Sequence, residues 1–220
     1  MTRPSLVVVV SGTGTEVGKT WVAAGLLTEL RQRGLSVSAR KPVQSHHPGQ
    51  PTDAEILAGA SGETAAEVCP AHRSYPVPLA PPIAAGVLSR PPPTLSELVA
   101  ELDRGWPAPP ADVGVVEGAG GVASPLAADG DTAALARRIE ADLVVVVGEA
   151  QLGIINSVRL SRLALQPLTV AVFLNRYDPA SSPQERSRHW LTQVDHFPVD
   201  TTVAELTDTV VAASRQSPVA

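Results

Sequence analysis

The sequence predicts an α/β domain: a mostly parallel sheet flanked by helices on both faces, built by residues 1–220 as a single domain. Three observations carry this. Residues 6–10 (LVVVV) and 142–148 (DLVVVVG) are β-branched runs without polar alternation, the composition of strands buried on both faces. Segments with helical spacing of apolar residues alternate with such runs along the chain. The length, 220 residues, suits one domain of this kind.

The elements follow in order. After the strand at 6–10, apolar Val22, Leu26, Leu27 and Leu30 recur at helical spacing over 20–30, and Gly34 supplies a stop. Residues 36–40 form a short second strand. Thr52-Asp53-Ala54-Glu55 has capping-box form and opens a helix over 53–59. The Pro-rich segment 70–93 reads as loop with at most a short helix. A helix spans 94–102, and a strand at 112–116 runs into the Gly-rich turn 118–121. Asp131 caps a helix through 139. A strand at 142–148, a helix at 153–165, a strand at 168–177 and helices near 184–192 and 203–213 complete the chain. No solenoid repeat is present.

Composition narrows the function classes. The net charge of −5 leaves no electrostatic footprint for nucleic acid or an anionic membrane. A lone cysteine, Cys69, cannot build a disulfide framework and fits a reducing cytoplasm. No apolar run approaches the ~20 residues of a membrane span, and no cleavage signal precedes the first strand. A cytoplasmic protein is expected.

The chemistry sits at strand ends. Between the first strand and first helix lie Gly12, Gly14, Thr15, Glu16, Val17, Gly18, Lys19 and Thr20. Glycines let backbone N–H groups converge on phosphate oxygens, the helix N-terminus favours an anion, and the Lys and Thr reach the terminal phosphates and Mg²⁺. This makes the chain P-loop NTPase-like. The usual pattern wants glycine at position 13, where this chain has Thr13. Glu117 closes a strand before Gly118-Ala119-Gly120-Gly121, as a Mg²⁺-directed carboxylate would. Asp53 reads equally as helix cap or metal ligand. Lys41 stands at the tip of the second strand. Ligands of open α/β sheets bind beyond the strands' carboxyl ends, which groups Lys41, Glu117, the turn at 148–153 and Asn175 with the phosphate loop.

The motifs GTGTEVGKT, KPVQS, EGAGG and QLGIIN, in this order and spacing, resemble the dethiobiotin synthetase family over roughly residues 6–200. The resemblance implies a homodimeric P-loop enzyme of biotin biosynthesis. In that family 7,8-diaminopelargonate takes up CO₂ as a carbamate, ATP phosphorylates the carbamate, and the second amine closes the ureido ring with release of phosphate. By position, Lys19, Lys41 and Thr15 would be catalytic, with Lys41 stabilising the carbamate. Thr20, Asp53 and Glu117 would hold Mg²⁺. Gly14 to Thr20, Gly118, Ala119, Gly120, Asn175 and Arg176 would contact the nucleotide. Ser45 and Gly121 would line the substrate site, and Gly153, Ile154, Ile155 and Asn156 would take the substrate carboxylate across a dimer interface. Arg176 replaces the family's acidic residue after Asn175, and residues 79–84 lack the family's Ser-Pro-His.

Two other P-loop readings compete. NRYD at 175–178 superficially resembles a guanine-reading motif, which would make the chain a nucleotide-dependent switch. A partitioning-type ATPase shares the loop but commonly carries a second lysine near its start, where this chain has Gly14 and Thr15. The switch reading leaves Lys41 without a task.

Overall fold

The computed structural model describes residues 3–214. The elements run β1 Leu6–Gly12, α1 Lys19–Gln32, β2 Val37–Arg40, β3 Gln44–Ser45, α2 Asp53–Ser61, α3 Ala65–Val68, a 3-10 turn Ala71–Arg73, β4 Ser74–Tyr75 and α4 Pro81–Val87. They continue α5 Leu95–Gly105, β5 Val113–Glu117, β6 Pro125–Ala127, β7 Gly130–Asp131, α6 Thr132–Arg138, β8 Leu143–Glu149, α7 Ile154–Leu165, β9 Val170–Asn175, α8 Ser182–Gln193, β10 Val199–Asp200 and α9 Val203–Ser214. The main sheet has six strands in the order β10-β9-β8-β1-β5-β2, every pair parallel.

The valine runs are buried because both faces of this sheet are covered. Side chains alternate across a strand, so Leu6, Val8 and Val10 enter one core while Val7 and Val9 enter another. The first core meets Leu26, Leu27 and Leu30 of α1, Leu57 of α2 and Leu206 of α9. The second meets Leu98 and Leu102 of α5 and Leu135 of α6, and Val172 and Leu174 of β9 pack on that side against Ile154 and Val158 of α7 and Leu191 of α8. Each fully buried leucine contributes roughly 1.5–3 kcal/mol relative to exposure. Three helices start with a Thr-x-x-Glu capping box, at Thr52, Thr64 and Thr94, which satisfies backbone donors that the first turn leaves open.

The structure differs from the sequence expectation mainly in its short elements. The Pro-rich segment is more ordered than a loop: β4 pairs with β3, and Pro81 and Pro82 open α4, positions where the missing N–H is no loss. β6 and β7 form a small antiparallel pair, and β10 extends the sheet by two residues. Strands this short carry too little periodicity to be read from sequence. Among the described residues, no helix is long and apolar enough to cross a membrane.

Candidate active site

The phosphate loop joins β1 to α1 across the rim formed by the strands' carboxyl ends. Gly18 caps α1 with a left-handed backbone (φ +93°), and a Cβ there would lie 2.1 Å from Asn175 Nδ2. Only glycine meets both demands. Glu16 is also left-handed (φ +62°), the kind of local strain that concentrates at ligand sites. Lys19 Nζ donates to Gly14 O at 2.9 Å, folding the lysine back over the loop. Thr13, where the usual loop has glycine, anchors its N–H to Val147 O and rests its methyl against Gly148. A Cβ on Gly148 would lie 3.2 Å from that methyl and 2.4 Å from Ile154 Cδ1, so β8 has made room for the threonine.

Lys41, Asp53, Glu117 and Thr20 converge beside the loop. The parallel register of β2 and β5 pairs Arg40 with Val116, so Lys41, just past the end of β2, lies beside Glu117, the last residue of β5. Lys41 Nζ lies 2.6 Å from Glu117 Oε1, 2.8 Å from Asp53 Oδ2 and 2.9 Å from Gly118 O. Thr20 Oγ1 lies 2.9 Å from both Asp53 Oδ1 and Glu117 Oε1. Its single proton can serve only one of them at a time. Asp53 is the first residue of α2, but Thr52 caps that helix, so the helix-cap reading of Asp53 is overturned and its carboxylate is free to face the site.

The electrostatics follow from burial and proximity. Burial works against a charged Lys41, yet Glu117 and then Asp53 outweigh it and hold its pKa above the usual range. Burial, then repulsion from Lys41, holds Lys19 below its usual range. Asp53 is kept low, with Lys41 overcoming the effect of burial. Glu117 Oε2 is buried with no hydrogen-bond partner. An orphaned carboxylate oxygen beside Asp53 and the Thr20 hydroxyl is a hard-oxygen donor set of the kind Mg²⁺ takes together with phosphate oxygens. The residues therefore fit the ion that the family resemblance implies.

The second Gly-rich turn lies against the loop. Gly118 N donates to Val10 O, Val122 N to Gly12 O, and Gly121 N to Ser124 Oγ. The amides of Gly118 and Gly121 are thus committed within the protein, while Ala119 and Gly120 form the tip. Thr15 is exposed, its hydroxyl close to Gly120, where an added Cβ would stand 3.7 Å away. Ser45 Oγ donates to Leu79 O at 2.6 Å, tying β3 to the Pro-rich segment. Gly153 is left-handed (φ +96°) and starts α7, with Ile154 buried, Ile155 half-buried and Asn156 exposed. These four residues share the rim but not the Lys41 cluster.

Asn175 lies directly behind the loop. Its Nδ2 donates to Val17 O at 2.9 Å and its Oδ1 accepts from Arg176 N. Arg176 turns away to an ion pair with Glu149 at 2.9 Å. Gly18, Asn175, Arg176, Tyr177 and Thr201 line a groove of about 540 Å³ together with Trp21. The sequence reading passed over Trp21. It follows Lys19-Thr20 directly and falls off the apolar stripe of α1, and that combination was the available signal. Cys69 is buried and burial pushes its thiol up to about 12, which removes it as a nucleophile.

A strand–loop–helix with a left-handed glycine, a lysine and a threonine, faced by two carboxylates at strand and helix ends, defines a P-loop nucleotide-handling protein. Residues 7–208 match the AAA_26 family, described as an AAA domain. The chain is 42% identical over 180 residues to the ATP-dependent dethiobiotin synthetase BioD of Anaeromyxobacter sp. (strain K), covering 79% of this chain and 78% of that one. It is 33% identical over 220 residues to the enzyme of the same name from Haloferax mediterranei, covering 96% and 90%. Among solved structures, a putative plasmid partition protein from Borrelia burgdorferi B31, bound to AMPPNP, superposes with a TM-score of 0.61 at 11% identity, covering 96% of this chain and 98% of that one. That likeness is one of fold. The chain belongs to the ATP-dependent dethiobiotin synthetase family.

Proposed function

We propose that this chain is an ATP-dependent cyclo-ligase making dethiobiotin from 7,8-diaminopelargonate, CO₂ and ATP, with Lys41, Lys19 and the Thr20–Asp53–Glu117 cluster as its machinery. The observation that carries this is Lys41. A second buried lysine, aimed from β2 into the acidic cluster beside the phosphate loop, has no task in a protein that only hydrolyses nucleotide. In ring closure it has one, because charge develops on a carbamate as well as on phosphate.

The reaction divides into three steps. One amine of the diamine adds to CO₂ and loses a proton, giving a carbamate. A carbamate oxygen attacks the γ-phosphorus of ATP and ADP leaves. The second amine attacks the carbonyl carbon of the mixed anhydride, loses a proton, and phosphate leaves as the ureido ring closes. Phosphoryl transfer asks a protein chiefly for positioning and charge stabilisation. Lys19, released from Gly14 O, would follow the transferring phosphoryl group. Lys41 would hold the carbamate oxygens, and Thr15 would orient phosphate or carbamate from the loop tip. Thr20, Asp53 and Glu117 would hold Mg²⁺, which neutralises phosphate charge when bound.

The diamine is long, with its carboxylate far from its amines. The start of α7 supports a second contact for it, since N-terminal helix amides suit an anion. Leu160 and Leu163 are exposed and fall with Asn156 on one face of α7 at spacings of four and three, and Leu152 is exposed just before the helix. Such a stripe supports a two-fold interface in which Gly153 to Asn156 serve the partner's site, making the enzyme a homodimer. The small soluble substrates and the single buried cysteine fit the cytoplasm.

The test is mass detection of dethiobiotin from the diamine, bicarbonate, Mg²⁺ and ATP. ADP appearing without the diamine, and no new product with it, would favour the switch or partitioning reading.

A further inference from the structure

We infer that Trp21 is the platform on which the nucleotide base stacks, and that this chain holds the base by its face rather than reading its edge. The inference rests on the proposed binding of a nucleoside triphosphate at the phosphate loop and adds the residue that would set base selectivity.

The groove carries the argument. It begins at Gly18 and Trp21, at the start of α1, and ends at Asn175, Arg176, Tyr177 and Thr201. A nucleoside whose phosphates lie on the loop has this space to enter. The polar side chains along it are already engaged, Tyr177 with Glu185 and Thr201 with Glu205. Asn175 spends its amide on Val17 O and its carbonyl on Arg176 N, thereby bracing the loop. The Arg176 guanidinium is drawn off to Glu149. Trp21 is the opposite case: a large aromatic ring 60% exposed in the first turn of the phosphate-loop helix. The buried stripe of α1 is Val22, Ala23, Leu26, Leu27 and Leu30, so the fold does not need the indole for its core. An aromatic face left open beside the loop offers what a planar base requires. Stacking of this kind contributes about 1–3 kcal/mol per base and discriminates little, because every base has a π-face.

Two measurements test this on the full-length protein. Nucleotide binding is read by isothermal titration with ATP, GTP and CTP in Mg²⁺, and by quenching of tryptophan fluorescence. Wild type should bind the three within about tenfold of one another. Trp21→Val should weaken all three in parallel, on the order of ten- to a hundredfold, and Trp21→Phe should restore most of the affinity. Inorganic tripolyphosphate, which has no base, should bind Trp21→Val as it binds wild type. Unchanged ATP affinity in Trp21→Val would overturn the inference, as would a loss confined to one base or a loss shared by tripolyphosphate. These readouts need no diamine, so they stand apart from the ring-closure assay. Failure to form dethiobiotin would sink the activity proposed above and leave the stacking question to be decided by binding.

Discussion

The Lys41 ammonium lies 2.6 Å from Glu117 Oε1, with both side chains buried. Parallel pairing of β2 with β5 creates this contact, so a lysine and a glutamate 76 residues apart in sequence meet at one point on the rim. Asp53 and Thr20 then join from two helix starts. The resulting cluster concentrates charge where a triphosphate and a carbamate would have to be steadied.

Replacing either lysine should therefore suppress ring closure. Lys19→Ala and Lys41→Ala are each expected to lower kcat on the order of 10²–10³-fold, the loss typical of one electrostatic donor. Lys41→Ala should also lower Tm, because it leaves Glu117 buried without its partner, whereas Lys19→Ala should not. Steady-state turnover and thermal unfolding of the two variants check both halves. Near-normal kcat in Lys41→Ala at saturating substrates would remove its catalytic role.

The metal role assigned to Thr20, Asp53 and Glu117 has its own signature. Asp53→Asn keeps the Thr52 cap of α2 and so should keep the fold. It should raise the Mg²⁺ concentration needed for half-maximal activity by about tenfold or more. A titration of activity against Mg²⁺ at fixed ATP measures this. A variant with unchanged Mg²⁺ dependence would return Asp53 to a purely structural role.

Asp200 predicts a pH dependence of stability. Its Oδ2 is buried without a partner, and burial pushes its pKa up to about 6 from an ordinary 3.8. A carboxyl with a raised folded-state pKa binds its proton more tightly when folded. Its stabilising contribution is complete below the unfolded value and is lost as pH rises through the folded one. Asp200→Asn, which cannot ionise, should therefore gain Tm over wild type as pH climbs from about 4 to about 7, and the gap should level off above that. Thermal unfolding across this range decides it. A gap independent of pH would show that folding leaves the Asp200 carboxyl unshifted, as a solvated one would be.

Asn156 offers a test of site sharing. Its contact with the substrate carboxylate is remote from the chemistry, so Asn156→Ala should raise KM more than it lowers kcat. In a mixed dimer of Lys41→Ala with Asn156→Ala subunits, a shared arrangement leaves one site intact and one doubly damaged. About half the wild-type activity per dimer should then appear at low substrate. Purified mixed dimers in which the Lys41→Ala subunit stays dead and the other stays impaired at low substrate would show that each site belongs to a single chain.

The sequence by itself determined the sheet and the loop. Runs such as Leu6–Val10 can be buried only between two layers, and a glycine-lysine-threonine turn after such a strand has one common use. These signals are local, carried by spacing within a few residues. Tertiary structure alone decided the rest, because it depends on which strand ends become neighbours. The capping-box spacing of Thr52 and Glu55 is local, but nothing near Asp53 in the sequence says that its carboxylate faces Lys41; the packing of α2 beside β2 settles it. Nothing near Thr13 explains a side chain where the loop usually has none; Gly148, on the neighbouring strand β8, supplies the space. The amide of Asn175 is spent on a carbonyl 158 residues away in sequence, a commitment that only the adjacency of the loop and the end of β9 could create.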